Sequence, residues 1–118
     1  MEYLNLYTIH ADERGTFKGI TNKYTWGEIN YIETKAGVER GGHYHKFTKE
    51  LFYILEGEVA IVVRHLITGE NQSFRARKGD IFIIDPYELH TFKTLTNAVW
   101  INMLSHKLDA DFPDIHRP

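Results

Sequence analysis

Two histidines and a glutamate lie close together in a short stretch of this chain, and all three residue types bind divalent metal ions. The stretch from Gly37 to Gly57 reads GVERGGHYHKFTKELFYILEG and contains His43, His45 and Glu50. Residues two apart on an extended strand leave the same face of a sheet, so this spacing predicts that both imidazoles share one face. Two imidazoles and a carboxylate that converge on one point can hold a divalent metal ion.

A fourth candidate ligand lies further along the chain. His90, in the segment IDPYELHTF, follows a turn at the start of another short predicted strand. The donor set suits Zn, Ni, Fe(II), Mn or Co, and it does not choose among these metals. The alternative is a polar, hydrogen-bonded barrel mouth that holds no metal. The sequence favours the metal site because three candidate ligands within eight residues, with a distant fourth, are a much more specific signal than a lone histidine.

Composition predicts one folded domain, residues 1–118, and excludes several classes of partner. The 118 residues leave room for a single modest core. Fourteen basic and sixteen acidic residues give a net charge of −2 without a basic run, so we expect neither nucleic acid nor membrane surfaces as partners. The chain has no cysteine, which excludes thiolate metal sites and a cysteine nucleophile. Since no signal peptide is apparent at the start, we expect a cytoplasmic protein.

Short runs of β-forming residues separated by turn residues predict an all-β protein. No stretch shows a convincing helical period, and this pattern is typical of antiparallel sandwiches and barrels. Residues 35–42 are expected to form a polar loop, and residues 105–118 a tail along the surface. The predicted strands are Leu4–Ile9, Thr16–Ile20, Glu28–Thr34, Leu51–Leu55, Glu58–Leu66, Ser73–Arg77, Ile81–Ile84, Leu89–Leu95 and Ala98–Leu104.

The spacing of the candidate ligands resembles the first motif of the cupin superfamily. That motif has a glycine, two histidines, a glutamate and a second glycine at the separations found from Gly37 to Gly57. A looser form of the second cupin motif runs from Gly79 to His90. The resemblance implies a single cupin domain, which is a double-stranded β-helix or jelly-roll barrel of antiparallel sheets. It also implies one metal ion held by His43, His45, Glu50 and His90.

Further segments resemble cupins that modify nucleotide-linked sugars. Asp12–Phe17 and Arg40–Tyr44 are similar to segments of the 4-keto-6-deoxysugar 3,5-epimerases, and Arg40–Lys46 is similar to a run in the 3,4-ketoisomerases. The order of segments, through Leu108–Asp114, resembles the C-terminal cupin domain of capsular-polysaccharide reductase/epimerases over nearly the whole chain. The resemblance implies an isomerase, either an epimerase or a ketoisomerase, that acts on a nucleotide-diphosphate 4-keto-6-deoxyhexose in surface-polysaccharide synthesis.

The same resemblance implies roles for individual residues. Arg40, and with it Arg14, would bind the diphosphate, which suits a guanidinium group. Tyr31 lies twelve residues before His43, where the ketoisomerases place a functional tyrosine, and it would donate or relay a proton. Ordinary strand packing is the alternative for Tyr31. In a metal-free site, His43 or His45 would be the base.

Several positions depart from these families, and other functions remain open. Asp85 and Tyr87 replace the usual proline and glycine of the second motif, and Thr94 replaces its asparagine. Glu50, which the ketoisomerases commonly lack, favours a metal-holding relative. Small cupins often pair, so we expect a homodimer. The alternatives are another metal-dependent cupin enzyme, such as a small Fe(II) oxygenase, and a sugar-binding cupin without catalysis.

Overall fold

A computed structural model describes residues 1–118, and in it the chain forms eleven β-strands and no helix. The chain accordingly contains no helix with the length and apolar character needed to cross a membrane. The strands are β1 (Glu2–Leu4), β2 (Tyr7–Asp12), β3 (Gly15–Gly19), β4 (Glu28–Thr34), β5 (Glu39–His43), β6 (Glu50–Glu56), β7 (Glu58–His65), β8 (Asn71–Arg77), β9 (Ile81–Ile84), β10 (Glu88–Thr94) and β11 (Ala98–Leu104).

Two antiparallel sheets face each other across the core. One has the order β1-β9-β6-β11-β4, and the other has the order β5-β10-β7-β8. Alternate residues of each strand point inward, because side chains alternate between the two faces of a strand. Phe52, Phe82 and Trp100 from the first sheet meet Ile61 and Phe92 from the second in one buried cluster. The predicted all-β fold of antiparallel sheets is confirmed.

The strands β2 and β3 form a hairpin that pairs with neither main sheet. The sequence predicted one strand over Leu4–Ile9, but the structure interrupts it at residues 5 and 6. β1 joins the first sheet through β9, and β2 enters the hairpin. The hairpin leaves Ile9 and Phe17 exposed, so these two side chains add nothing to the core.

The predicted polar loop over residues 35–42 is partly wrong, because β5 begins at Glu39 and pairs with β10. This strand reads ERGGH, and neither glutamate nor glycine favours a strand by itself. The register shifts between His90 and Thr91, where β5 carries its glycines. Gly41 has a φ of +93°, and a Cβ there would lie 2.6 Å from the main-chain oxygen of His90. Glycine therefore permits the close approach that brings β5 onto β10.

Candidate metal centre

The structure brings the four predicted ligands together at one end of the barrel. His43 ends β5, Glu50 begins β6, and His90 lies in β10, while His45 lies just beyond β5. One ligand atom from each residue lies within 4.8 Å of the ligand atoms of the other three. The cluster therefore joins both main sheets, since β6 belongs to one and β5 and β10 to the other.

His45 does not stand on the strand that its spacing predicted. β5 ends at His43, and Tyr44 makes only an isolated bridge to His116 in the C-terminal tail. His45 then lies in an irregular segment between β5 and β6. The two histidines nevertheless converge, and their ring centroids are 5.1 Å apart.

Glu50 lies at the centre of the cluster and is buried. Its Oε1 is 2.9 Å from Nε2 of His45 and 3.5 Å from Nε2 of His90. Its other oxygen, Oε2, accepts a hydrogen bond from the side-chain amide of Asn102. The carboxylate is thus held from behind, with one oxygen directed at the histidines.

Main-chain carbonyls fix the orientation of two of the rings. Nδ1 of His45 lies 2.7 Å from the carbonyl oxygen of Asp114, and Nδ1 of His90 lies 2.9 Å from that of Glu88. A carbonyl oxygen only accepts, so Nδ1 carries a proton in both rings and Nε2 faces the cluster. Histidines that ligate metals commonly donate their other N–H group in this way. The donor set therefore fits a divalent metal ion.

The electrostatics of the cluster follow from burial and from these hydrogen bonds. Burial, together with the nearby His90 and His45, lowers the pKa of His43 to about 4. Burial alone would lower the pKa of His45, but its hydrogen bond to Glu50 raises it above the usual value. Burial alone would raise the pKa of Glu50, yet hydrogen bonds from His45 and His90 hold it at about 2. Without metal, one proton lies in the hydrogen bond between Nε2 of His45 and Oε1 of Glu50, and a metal ion would take its place.

A cavity of about 210 Å³ opens directly onto the cluster. Arg40 lies on its wall, where Nε donates to the Thr34 hydroxyl at 2.7 Å and Nη2 donates to the Glu33 carbonyl at 3.3 Å. A guanidinium has five N–H donors, so others remain for a ligand. The Nε1 atom of Trp100, also a lining residue, is buried without an acceptor. The full lining is Ile32, Arg40, Gly41, His43, Glu50, Phe52, His90, Phe92 and Trp100.

Two predicted site residues, Tyr31 and Arg14, lie away from this cavity. Tyr31 is 64% exposed on the outer face of β4, whereas its neighbour Ile32 lines the cavity. Arg14 lies in the turn of the hairpin, where its guanidinium bonds to Asp12 at 2.6 Å. Within one copy of the chain, neither residue belongs to the cavity lining. Their predicted roles therefore require contact with something other than this chain's own cavity.

Sequence reasoning missed the polar residues that support Glu50. Asn102, behind the carboxylate, accepts a hydrogen bond from Asn30 at 2.9 Å, and Asn30 also donates to Glu28 at 2.8 Å. The available signal was the alternation of β11, in which Ala98 and Trp100 mark the buried positions and Asn102 falls on one of them. A polar residue on an inward face needs a hydrogen-bond partner, so this position could have been linked to the site.

The protein resembles a family of known proteins over most of its length. A family model described as the polysaccharide biosynthesis C-terminal domain matches residues 10–111. A UDP-2-acetamido-2,6-beta-L-arabino-hexul-4-ose reductase of Pseudomonas aeruginosa is 34% identical over 61 residues, which are 52% of this chain and 16% of that protein. The chain thus spans only a small part of the length of that relative.

Solved structures share the fold. A TDP-quinovose 3,4-ketoisomerase of Campylobacter jejuni, WlaRB, has a TM-score of 0.82 at 20% identity, covering 99% of this chain and 92% of that one. The capsular polysaccharide assembling protein CapF of Staphylococcus aureus has a TM-score of 0.72 at 23% identity, covering 95% of this chain and 34% of that one. Nearly the whole chain therefore matches most of a small protein in one case and about one third of a larger one in the other.

Proposed function

The chain belongs to the polysaccharide biosynthesis C-terminal domain family, and from this premise we propose that it is a metal-binding isomerase of nucleotide-linked sugars. Its substrate would be a nucleotide-diphosphate 4-keto-6-deoxyhexose, and its reaction an epimerisation or ketoisomerisation. The observation that carries this proposal is the cluster of His43, His45, Glu50 and His90, of which all but the half-buried His43 are buried, beside a cavity that Arg40 also lines. The likeness in fold to a 3,4-ketoisomerase supports it.

The chemistry of such a reaction agrees with the residues of the cavity. Epimerisation or ketoisomerisation begins with removal of the proton on the carbon beside the ketone, which leaves negative charge on the ketone oxygen. When bound at the cluster, a divalent metal ion supplies positive charge that stabilises this developing negative charge. Arg40 would bind the diphosphate through its remaining N–H groups, because a guanidinium pairs well with phosphate oxygens.

A metal-free reaction is the second candidate, and one observation favours it. His43 is half-buried and lines the cavity, and its ring has no hydrogen-bond partner within the chain. The rings of His45 and His90, by contrast, are each held by a carbonyl. In a site without metal, His43 is therefore the ring free to accept the substrate proton. His45, already hydrogen-bonded to Glu50, is the less suitable base.

Solvent exchange tests the proposed reaction directly. The purified protein, with its metal content measured, is incubated in D₂O with a nucleotide-linked 4-keto-6-deoxyhexose. We expect the NMR signal of the proton beside the ketone to disappear as deuterium replaces it. Absence of exchange by metal-loaded protein would contradict the isomerase. Metal-dependent oxygen uptake would instead indicate an oxygenase, and saturable binding without exchange would indicate a sugar-binding protein.

We also propose that the protein is a homodimer, on the basis of two exposed apolar surfaces. Ile29 and Tyr31 lie on the outer face of β4 and are 65% and 64% exposed, and the hairpin exposes Ile9 and Phe17. Apolar side chains grouped in this way commonly mark interfaces. Sedimentation should show a dimer that Ile29→Lys shifts toward the monomer. Val62→Lys, which adds the same charge at an exposed position of the other sheet, is the control and should leave the dimer intact.

A further inference from the structure

We infer that Asp114 is a positioning residue of the metal centre and acts through His45. It does so as part of the C-terminal strap, by which we mean residues Asp114 to Arg117. The inference rests on the proposed metal-binding function. It concerns the C-terminal tail, which lies largely exposed as the sequence predicted but contacts the segment around His45 through Asp114 and His116.

The Asp114 carboxylate holds the segment that follows His45. Its Oδ1 accepts the main-chain N–H of Lys46 at 2.8 Å, and its Oδ2 accepts the N–H groups of Phe47 and Thr48, each at 2.9 Å. Oδ2 also accepts the Thr48 hydroxyl at 2.8 Å. Hydrogen bonds to an ionised acceptor are stronger than those between neutral groups. One side chain thus satisfies three successive main-chain donors that no strand satisfies.

The main chain of Asp114 holds the His45 ring itself. Its carbonyl oxygen accepts the Nδ1 proton of His45 at 2.7 Å. The residue adopts a φ of +46°, in the left-handed region that a non-glycine residue seldom occupies. Aspartate tolerates this region better than most residues, and the conformation directs carbonyl and carboxylate at neighbouring parts of one segment. The His45 ring and the segment that follows it are therefore both held by Asp114.

The rest of the strap fixes the chain on the other side of His45. His116 and Tyr44 exchange main-chain hydrogen bonds of 2.9 and 3.0 Å. The Arg117 guanidinium donates to the carbonyl oxygens of Gly41 and Gly42 at 3.3 and 3.1 Å. The strap thus contacts the chain both before and after His45.

A comparison with His90 shows why this support matters for the metal centre. The carbonyl that holds the His90 ring belongs to Glu88, two residues away on the same strand. The carbonyl that holds His45 lies 69 residues away in sequence. Loss of the strap contacts should therefore displace His45 and leave His90 in place.

The test replaces Asp114 and measures metal binding directly. Co²⁺ is titrated into the full chain well below its melting temperature, and its visible absorption reports ligation. We expect Asp114→Ala to weaken Co²⁺ binding about 10-fold to 100-fold, the range for residues that orient metal ligands. Asp111→Ala, an exposed carboxylate of the same tail, is the control and should match the parent. A Co²⁺ affinity for folded Asp114→Ala within about twofold of the parent would overturn the inference.

A conservative variant and a second readout separate positioning from simple loss of stability. Asp114→Asn keeps one acceptor oxygen and tolerates the left-handed conformation, so it should bind Co²⁺ with intermediate affinity. In metal-free protein, the NMR signals of the His45 ring should move in both variants, and they should move further than those of His90, whose ring keeps its bond to the Glu88 carbonyl. If the parent itself binds no Co²⁺, the proposed metal function fails. The ring signals then still decide the inference, because an unmoved His45 would contradict it.

Discussion

His90 and His45 lie at the same point of the barrel, but different parts of the structure hold them there. His90 stands on β10, which is paired on both sides by β5 and β7. His45 stands on an irregular segment that hydrogen-bonds to Asp114 in the C-terminal strap, and its own carbonyl oxygen accepts the main-chain N–H of Tyr87 at 2.7 Å. The ladder around His90 is a general property of the fold, whereas the support of His45 depends on individual residues far away in sequence. Substitutions on the two sides should therefore have different consequences.

The largest effect is expected at Glu50, which both sides share. Glu50→Gln removes the negative charge at the centre and leaves His45 without its charged partner. We expect metal binding to weaken by more than about 100-fold, since a lost ligand should cost more than a lost supporting contact. Metal analysis after dialysis measures this, with Glu56→Gln at the exposed end of β6 as the control. Full metal content in the Glu50→Gln protein would contradict the ligand assignment.

A substitution of Arg40 tests ligand binding at the cavity wall and leaves the candidate metal ligands unchanged. Arg40→Ala removes a guanidinium whose N–H groups would bind the diphosphate. We expect nucleotide-sugar affinity to fall about tenfold or more, because hydrogen bonds to charged groups contribute about 1.5–3 kcal/mol. Titration calorimetry measures the change, while metal content should stay at the parent level. Arg75→Ala, at an exposed position of β8, is the matched control. If Arg40→Ala lost metal affinity to the same degree as nucleotide-sugar affinity, Arg40 would instead support the metal cluster itself.

Asn102 tests the support of Glu50, which contacts both histidines. Asn102→Leu removes the amide that donates to Glu50 and fills the position with an apolar side chain. We expect about a tenfold loss in metal affinity, because Glu50 loses the contact that orients it. Thermal unfolding should show a loss of about 1–3 kcal/mol, since Oε2 is left buried without its donor. The NMR signals of His45 and His90 would then move together, in contrast to the Asp114 variants. If only the NMR signals of His45 moved, the proposed difference between the supports of the two histidines would be contradicted.

Tyr31 should give the smallest effect. Its side chain is 64% exposed on the outer face of β4, opposite to the cavity. We therefore expect the Tyr31→Phe protein to catalyse exchange of the substrate proton at a rate within about twofold of the parent. An exposed hydroxyl outside the cavity lacks the positioning that proton transfer needs. The deuterium-exchange assay measures this rate. A tenfold or larger loss would support the predicted proton-transfer role, and would require that a partner copy bring the hydroxyl to a substrate.

The all-β fold could be predicted because its signals are local. Glu28–Thr34, Ile81–Ile84 and Ala98–Leu104 are strands in the structure at the predicted bounds. Their β-branched and aromatic residues and the flanking turn residues carry that information themselves. The bounds of β5 were predicted wrongly, since a strand was expected to carry His43 and His45 and residues 39–42 were expected to be loop. The residues ERGGH do not favour a strand, and only pairing with β10 makes them one. The distant hydrogen-bond partners of His45 and Glu50 were not predicted for a similar reason. They lie far away in sequence, so no short stretch of sequence contains both members of a pair.

The sequence by itself determined the chemistry available at the site. The types and spacing of His43, His45, Glu50 and His90 identified them as candidate ligands, and the order of motifs identified the family. The tertiary structure alone decided that Tyr31 faces outward, and that the tail contributes Asp114 to the support of His45. The physical reason is that residue type fixes which atoms can donate, accept or ligate. Their direction depends on backbone contacts between segments far apart in the chain.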